Sequence, residues 1–159
     1  MKEYMKVKKE ASMESATKSV MNTYMGIESR FSFLEQLDID LESVEINFET
    51  ILSRFSIYGV ANEGFQLYTS NTDDEIKQMV AELLIAFVEL YGDGKRKVSG
   101  KNLMYTWKNA VNRKTLQIEV RPEATGCMLV EKTVEVPAQP ATTKTVYEVQ
   151  CEKGITLNG

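Results

Sequence analysis

The stretch Asn71–Gly92, NTDDEIKQMVAELLIAFVELYG, decides the fold. It reads as a helix over 72–91 with both ends marked. Thr72 and Glu75 have the spacing of a capping box, in which each side chain satisfies a backbone N–H that the first turn leaves unpaired. Asp73 and Asp74 put negative charge at the positive end of the helix dipole. Gly92 stands where a left-handed residue stops a helix. Between the ends lie Ile76, Met79, Val80, Leu83, Leu84, Ile85, Phe87, Val88, Leu90 and Tyr91, and after Glu82 the only charge is Glu89. A helix apolar nearly all round belongs in a core. A membrane span needs about 20 mostly apolar residues. The unbroken apolar run here, Leu83–Val88, is far too short.

Upstream, a helical period runs over 9–37. Met13, Thr17, Val20, Tyr24, Ile27, Phe31 and Leu34 alternate in steps of four and three, a heptad-like stripe. The flanking positions, taken as Lys18, Met25 and Ser32 on one side and Ala16, Thr23 and Arg30 on the other, lack paired opposite charges. The stripe thus offers self-association, with packing inside the domain or a looser bundle as the stronger reading. Residues 1–8 are expected to fray. A second helix is expected over 41–58, with Asp40 as its N-cap. Leu41, Val44, Phe48, Ile51, Leu52, Phe55 and Tyr58 share one helical face. The rival reading is a strand, because Val44, Ile46 and Phe48 alternate with polar residues. Seven helical positions outweigh three. Asn62-Glu63-Gly64 signals a turn, and Phe65–Tyr68 a short strand.

After Gly92-Asp93-Gly94 the period becomes two. Leu103, Tyr105 and Trp107 form one strand face, and Leu116, Ile118 and Val120 a second, with Val111–Lys114 as the hairpin loop. Met128, Val130, Val134 and Val136 form a third, and Thr143, Thr145, Tyr147, Val149 and Cys151 a fourth. Pro137–Ala141 is too proline-rich to pair. The expected fold is α+β: three helices, 9–37, 41–58 and 72–91, then a three- to four-stranded antiparallel sheet packed on the third. One domain spans 9–159, helical over 9–92 and β over 102–152. A hairpin centred on Gln139 would set Cys127 opposite Cys151, but would also set Val130 against Glu148 and Val134 against Lys144. A slip of one residue pairs like with like, and a buried face selects it. Two free thiols and a reducing compartment are the expectation.

The chain has 159 residues and no histidine. That excludes Ser-His-Asp and Cys-His catalysis, histidine metal ligands and histidine pH switching. The two cysteines form no CxxC or zinc set. The basic start MKEYMKVKKE is followed by no apolar leader, so a cytoplasmic protein is expected, with no membrane partner. Net charge is −4, but it is segregated: +2 over 1–27, −11 over 28–93, +7 over 94–121 and −2 over 122–159. Such asymmetry points to a charged partner or an oriented assembly.

The basic segment supplies the candidate site for an anionic partner: Lys95, Arg96, Lys97, Lys101, Lys108, Arg113 and Lys114, with Tyr105 and Trp107 among them and Glu119 the only acid before Arg121. Cations beside aromatics suit single-stranded nucleic acid. The plainer reading docks this segment on the acidic helical half of the same chain or a second copy, with Trp107 in the core. No RNP, KH or zinc-finger signature supports nucleic acid. The acidic half, 28–93, could conversely imitate a phosphate backbone, but a solvated helix face explains it more simply. Asp38, Asp40, Glu42 and Glu49 match an EF-hand count, but Ser43 stands where that turn needs glycine. Gly92-Asp-Gly94-Lys95 and Gly100-Lys101 lack Walker A spacing. No metal and no cofactor is expected. The leading expectation is a non-catalytic binding or regulatory protein that occludes or bridges a macromolecular partner, such as the small inhibitors of host enzymes that mobile elements, phages included, encode. A protein partner is expected, and the stripe Met13, Val20, Tyr24, Ile27, Phe31 and Leu34 offers self-association as the further possibility. The second expectation is a nucleic-acid-binding module on 95–121, and the third an enzyme built on carboxylates alone.

Overall fold

The computed structural model describes residues 2–60, 64–136 and 142–151. The fold is α+β. Its elements are α1 (Lys2–Glu42), α2 (Phe48–Arg54), β1 (Ser56–Val60), β2 (Gly64–Thr69), α3 (Asp74–Tyr91), β3 (Lys95–Ser99), β4 (Asn102–Trp107), β5 (Thr115–Val120), β6 (Cys127–Val136) and β7 (Thr142–Cys151). Contacts divide the chain into two compact units, 1–37 and 38–159. The boundary falls inside the segment expected to form one domain over 9–159. Among the described residues no helix is long and apolar enough to cross a membrane.

Helix α3 is the core element of the second unit. Its cap is Asp73 rather than the expected Thr72: the Asp73 carboxylate accepts from the Ile76 backbone N–H at 2.9 Å. Aspartate caps at least as well as threonine, and here it leaves Asp74 and Glu75 in the first turn. At the other end Gly92, at φ +77°, donates its N–H to the Val88 carbonyl. Ile76, Val80, Leu83, Leu84, Ala86 and Phe87 are buried, while Ile85 stays 56 % exposed, so the helix buries a broad face rather than its whole surface.

That face meets a five-stranded sheet of order β1-β2-β5-β4-β3. Leu67, Leu103, Leu116, Ile118 and Val120 are essentially inaccessible, and Phe87 stands edge-on to Trp107 at 5.1 Å between ring centroids. Alternation along the paired strands places these residues on the face that carries Trp107. The sheet is mixed, not purely antiparallel: β2 runs parallel to β5. A parallel pair requires a crossover, and α3 with β3 and β4 supplies it. Two further corrections follow. Strands β1 and β2 lie upstream of α3, and β3 is formed by the basic run, so the sheet begins well before residue 102.

The helix expected over 41–58 is shortened to α2, Phe48–Arg54. Helix α1 runs from Lys2 to Glu42. Glu45 then turns the chain at φ +63°, and Asn47 caps the short α2 by accepting from Thr50 N–H at 3.2 Å. Leu41 ends up in α1, Ile51 in α2, and Tyr58 in β1. The shared helical face was an accident of spacing across three elements. Asp40 caps nothing. It accepts the Tyr91 hydroxyl at 2.8 Å, and partial burial together with that carboxylate holds the phenol well above the usual tyrosine range.

Strands β6 and β7 form a separate two-stranded sheet, not a continuation of the main one. Its register sets Cys127 opposite Cys151, Val130 opposite Glu148 and Val134 opposite Lys144, and the cysteines are disulfide-bonded. The expectation of free thiols and a slipped register is overturned. The slip required a continuous buried face, but Met128, Glu131, Lys132, Thr133, Thr145 and Val146 are exposed and Val130, Tyr147 and Val149 only half-buried, so burial selects the register weakly. The disulfide and the Lys132–Glu148 ion pair hold the register instead. The hairpin loop over 137–141 lies outside the described residues. Reduction is therefore expected to act locally. By loop-closure entropy a crosslink of this span contributes about 3 kcal/mol. Amides of 142–151 should exchange about tenfold to a hundredfold faster in reductant, with those of β2, β4 and β5 unchanged. Hydrogen exchange that is unaltered, or accelerated throughout, would refute this.

Candidate functional site

The residues singled out from the sequence divide into three places. Lys95, Arg96 and Lys97 are exposed on β3, an edge of the main sheet. Charge on an edge strand opposes pairing with another chain's strand, which by itself explains three consecutive cations there. Lys108, Arg113 and Lys114 flank the 3-10 turn Val111–Arg113, at the sheet end where Lys95 pairs with Thr106. Asn109, Asn112 and Arg113 take positive φ there, and Val111 is fully buried as the plug beneath the turn. Lys114 lies 5.9 Å from the Phe65 ring. Lys101 is at the opposite end of β4, 5.9 Å over the Tyr147 ring. The cations do not form one continuous track.

The aromatics expected beside them point inward. Trp107 is 3 % exposed, and its indole N–H donates to the Gly92 carbonyl at 3.0 Å. A Cβ at Gly94 would come within 2.6 Å of that indole, so glycine at this position makes room for it. Tyr105 is 5 % exposed and lies 6.4 Å from Trp107. Neither ring offers a face on which a base could stack. Glu119, the acid among the cations, accepts from Gln66 and, at 2.7 Å, from Asn102, clasping β2, β5 and β4 together. Acids of 28–93 find bases of the same segment, in the pairs Arg54–Glu75 and Lys77–Asp74. Asp38, Asp40 and Glu42 sit within α1 rather than in a loop, so the EF-hand count has no structural counterpart. Among the described residues no group of three or more histidine, cysteine or carboxylate side chains could hold a metal.

Tyr105 and Arg96 belong to a feature that sequence reading missed. An apolar pocket of about 380 Å³ opens between α3, β3–β4 and the 3-10 turn Pro122–Thr125. Val80, Ala81, Leu84 and Ile85 make one wall; Ala124, Gly126 and Cys127 make the other. Arg96 and Thr125 line the pocket beside Tyr105. Burial raises the pKa of that phenol, and the Arg96 charge partly opposes the rise. No local motif announces this site. Its walls are small and apolar residues from segments more than thirty positions apart, and only folding brings them together.

The stripe on α1 is the third place. Met13, Val20, Tyr24, Ile27 and Phe31 are between 51 and 70 % exposed, and Leu34 is partly buried. Phe33, Leu37 and Leu41 lie on a different face of the same helix and are fully buried. Neither Phe33 nor Leu37 was in the predicted stripe. The heptad phase also corrects the flanks. With Thr17, Tyr24 and Phe31 at a, and Met13, Val20, Ile27 and Leu34 at d, the e positions are Glu14, Met21, Glu28 and Glu35. The g positions are Lys9, Ala16, Thr23 and Arg30. Lys18, Met25 and Ser32 stand one step farther round. In a parallel, in-register assembly each g residue faces the e residue five positions on in its neighbour. Lys9 then meets Glu14, and Arg30 meets Glu35. Thr17 is no obstacle at the seam, because its hydroxyl already donates to the Met13 carbonyl at 2.9 Å. No protein-family model, curated protein or solved structure matches this chain.

Proposed function

We propose that this chain is a non-catalytic binding and regulatory protein that assembles with copies of itself along α1 and presents its α+β unit to a macromolecular partner. One observation carries the reading: residues 1–37 form a compact unit made of helix alone, with large apolar side chains standing in water along one stripe. Isolated helices are marginal in water, and most helical stability in proteins comes from packing an apolar face. A stripe of this length marks an interaction surface. The occupant is a second copy because the flanking charges complement one another in parallel register. The β-branched Val20 and Ile27 at d favour three or four strands over two.

Occlusion of a host enzyme, of the kind small proteins of mobile elements perform, fits the segregated charge and the lack of a catalytic constellation in the sequence. The nucleic-acid alternative keeps its cations and loses its stacking aromatics, so it rests on phosphate contacts alone. The carboxylate enzyme has no support from the apolar pocket, whose lining residues include no acid. A cytoplasmic site of action also loses the argument from free thiols, since disulfides persist chiefly in oxidising compartments. The test is sedimentation equilibrium of the full chain over a wide concentration range. An assembly of copies is expected. A monomer at every concentration, with α1 still helical by hydrogen exchange, would overturn the proposal.

A further inference from the structure

We propose that the pocket between α3, β3–β4 and the Pro122–Thr125 turn binds a medium-length alkyl carboxylate, its chain among Val80, Leu84, Ile85 and Ala124 and its head against Arg96 and Lys77. This site is independent of assembly through α1. Its volume, about 380 Å³, lies within the range of sites that hold small organic ligands. The space exists because small residues face it from both sides: Ala81 on α3, and Ala124 and Gly126 on the turn. Gly126 takes φ +71°, which lets the turn fold back without a side chain entering the cavity. Ile85 stands at the pocket while 56 % exposed, on a helix that otherwise buries its large apolar groups facing the sheet. Covering it would remove apolar surface from water.

The polar groups choose the head. Lys77 and Arg96 are the charged residues lining the pocket, and both are cations. Arg96 pairs across β3–β4 with Tyr105, and both line the pocket. Lys77 pairs with Asp74 at 2.9 Å, but the Asp74 side chain is 99 % exposed. Exposed pairs of this kind hold weakly, so Lys77 can turn to a ligand at little cost. A guanidinium accepts a carboxylate through two parallel hydrogen bonds. A neutral head would gain no charge-assisted hydrogen bond from either cation, and a cationic head would be repelled.

The full-length, disulfide-intact protein is titrated with sodium decanoate below its micelle concentration, following heat and the fluorescence of Trp107. This residue is the chain's single tryptophan and lies 6.4 Å from Tyr105. One saturable site is expected. Decanol and the Arg96→Gln variant should each bind about tenfold or more weakly, as loss of a charge-assisted hydrogen bond implies. Decyltrimethylammonium should not bind, and Ala81→Trp should abolish binding by filling the cavity. Lack of saturation overturns the proposal, as does decanol matching decanoate or Arg96→Gln matching the parent chain. Arg96 is exposed on an edge strand, so its substitution keeps the test valid even if Ala81→Trp fails to fold.

Discussion

Replacing Phe87 with alanine is expected to lower stability by about 4 kcal/mol. Phe87 is wholly buried in the C-terminal half of α3, 5.1 Å from Trp107 and 6.0 Å from Tyr91 by ring centroids. Truncation removes the transfer energy of the ring and leaves a cavity, because a close-packed interior relaxes only in part. The edge-on contact with the indole is lost as well. Domains of this kind are stable by about 5–15 kcal/mol, so the variant should approach the limit of folding. Urea denaturation followed through Trp107 measures the effect. The control is Leu52→Ala, because Leu52 is 42 % exposed on α2 and its loss should cost far less. If Phe87→Ala costs under 1 kcal/mol, α3 is not the core element described here.

The double change Ile27→Asp with Phe31→Asp should dissociate the assembly and melt much of the first thirty residues of α1. Each large apolar side chain buried at a seam contributes about 1.5–3 kcal/mol. Removing two, and placing carboxylates between helices, should raise the dissociation constant by at least about a hundredfold. The helical signal should fall with it, because a solvated helix of this composition has little reason to persist alone. Asn22→Asp, on the opposite side of the helix, should leave both quantities unchanged. Sedimentation and circular dichroism read the two effects separately. If the double variant sediments as the parent does, the stripe is not the seam.

What the sequence determined by itself is what neighbouring residues settle among themselves. Asp73 and Gly92 mark the ends of α3 through their own backbone bonds. The apolar spacing of α3 declares a core helix, and alternation in 103–107, 116–120 and 143–151 declares strands. The stripe on α1 and its flanking charges are likewise legible once the heptad phase is set. Tertiary structure decided everything that depends on a distant partner. Leu41, Ile51 and Tyr58 matched one helical face in sequence yet went to three elements, because β1 gains more by pairing with β2 than by extending a helix. The parallel β2–β5 pair and the pocket at Arg96 and Tyr105 join segments whose meeting no local pattern records. The cysteines show the reason most plainly. The apolar pattern of the last hairpin favours the slipped register, and that preference counts only where a face is buried. Burial belongs to the whole fold rather than to the strand, and here most of the described hairpin residues remain exposed or only half-buried.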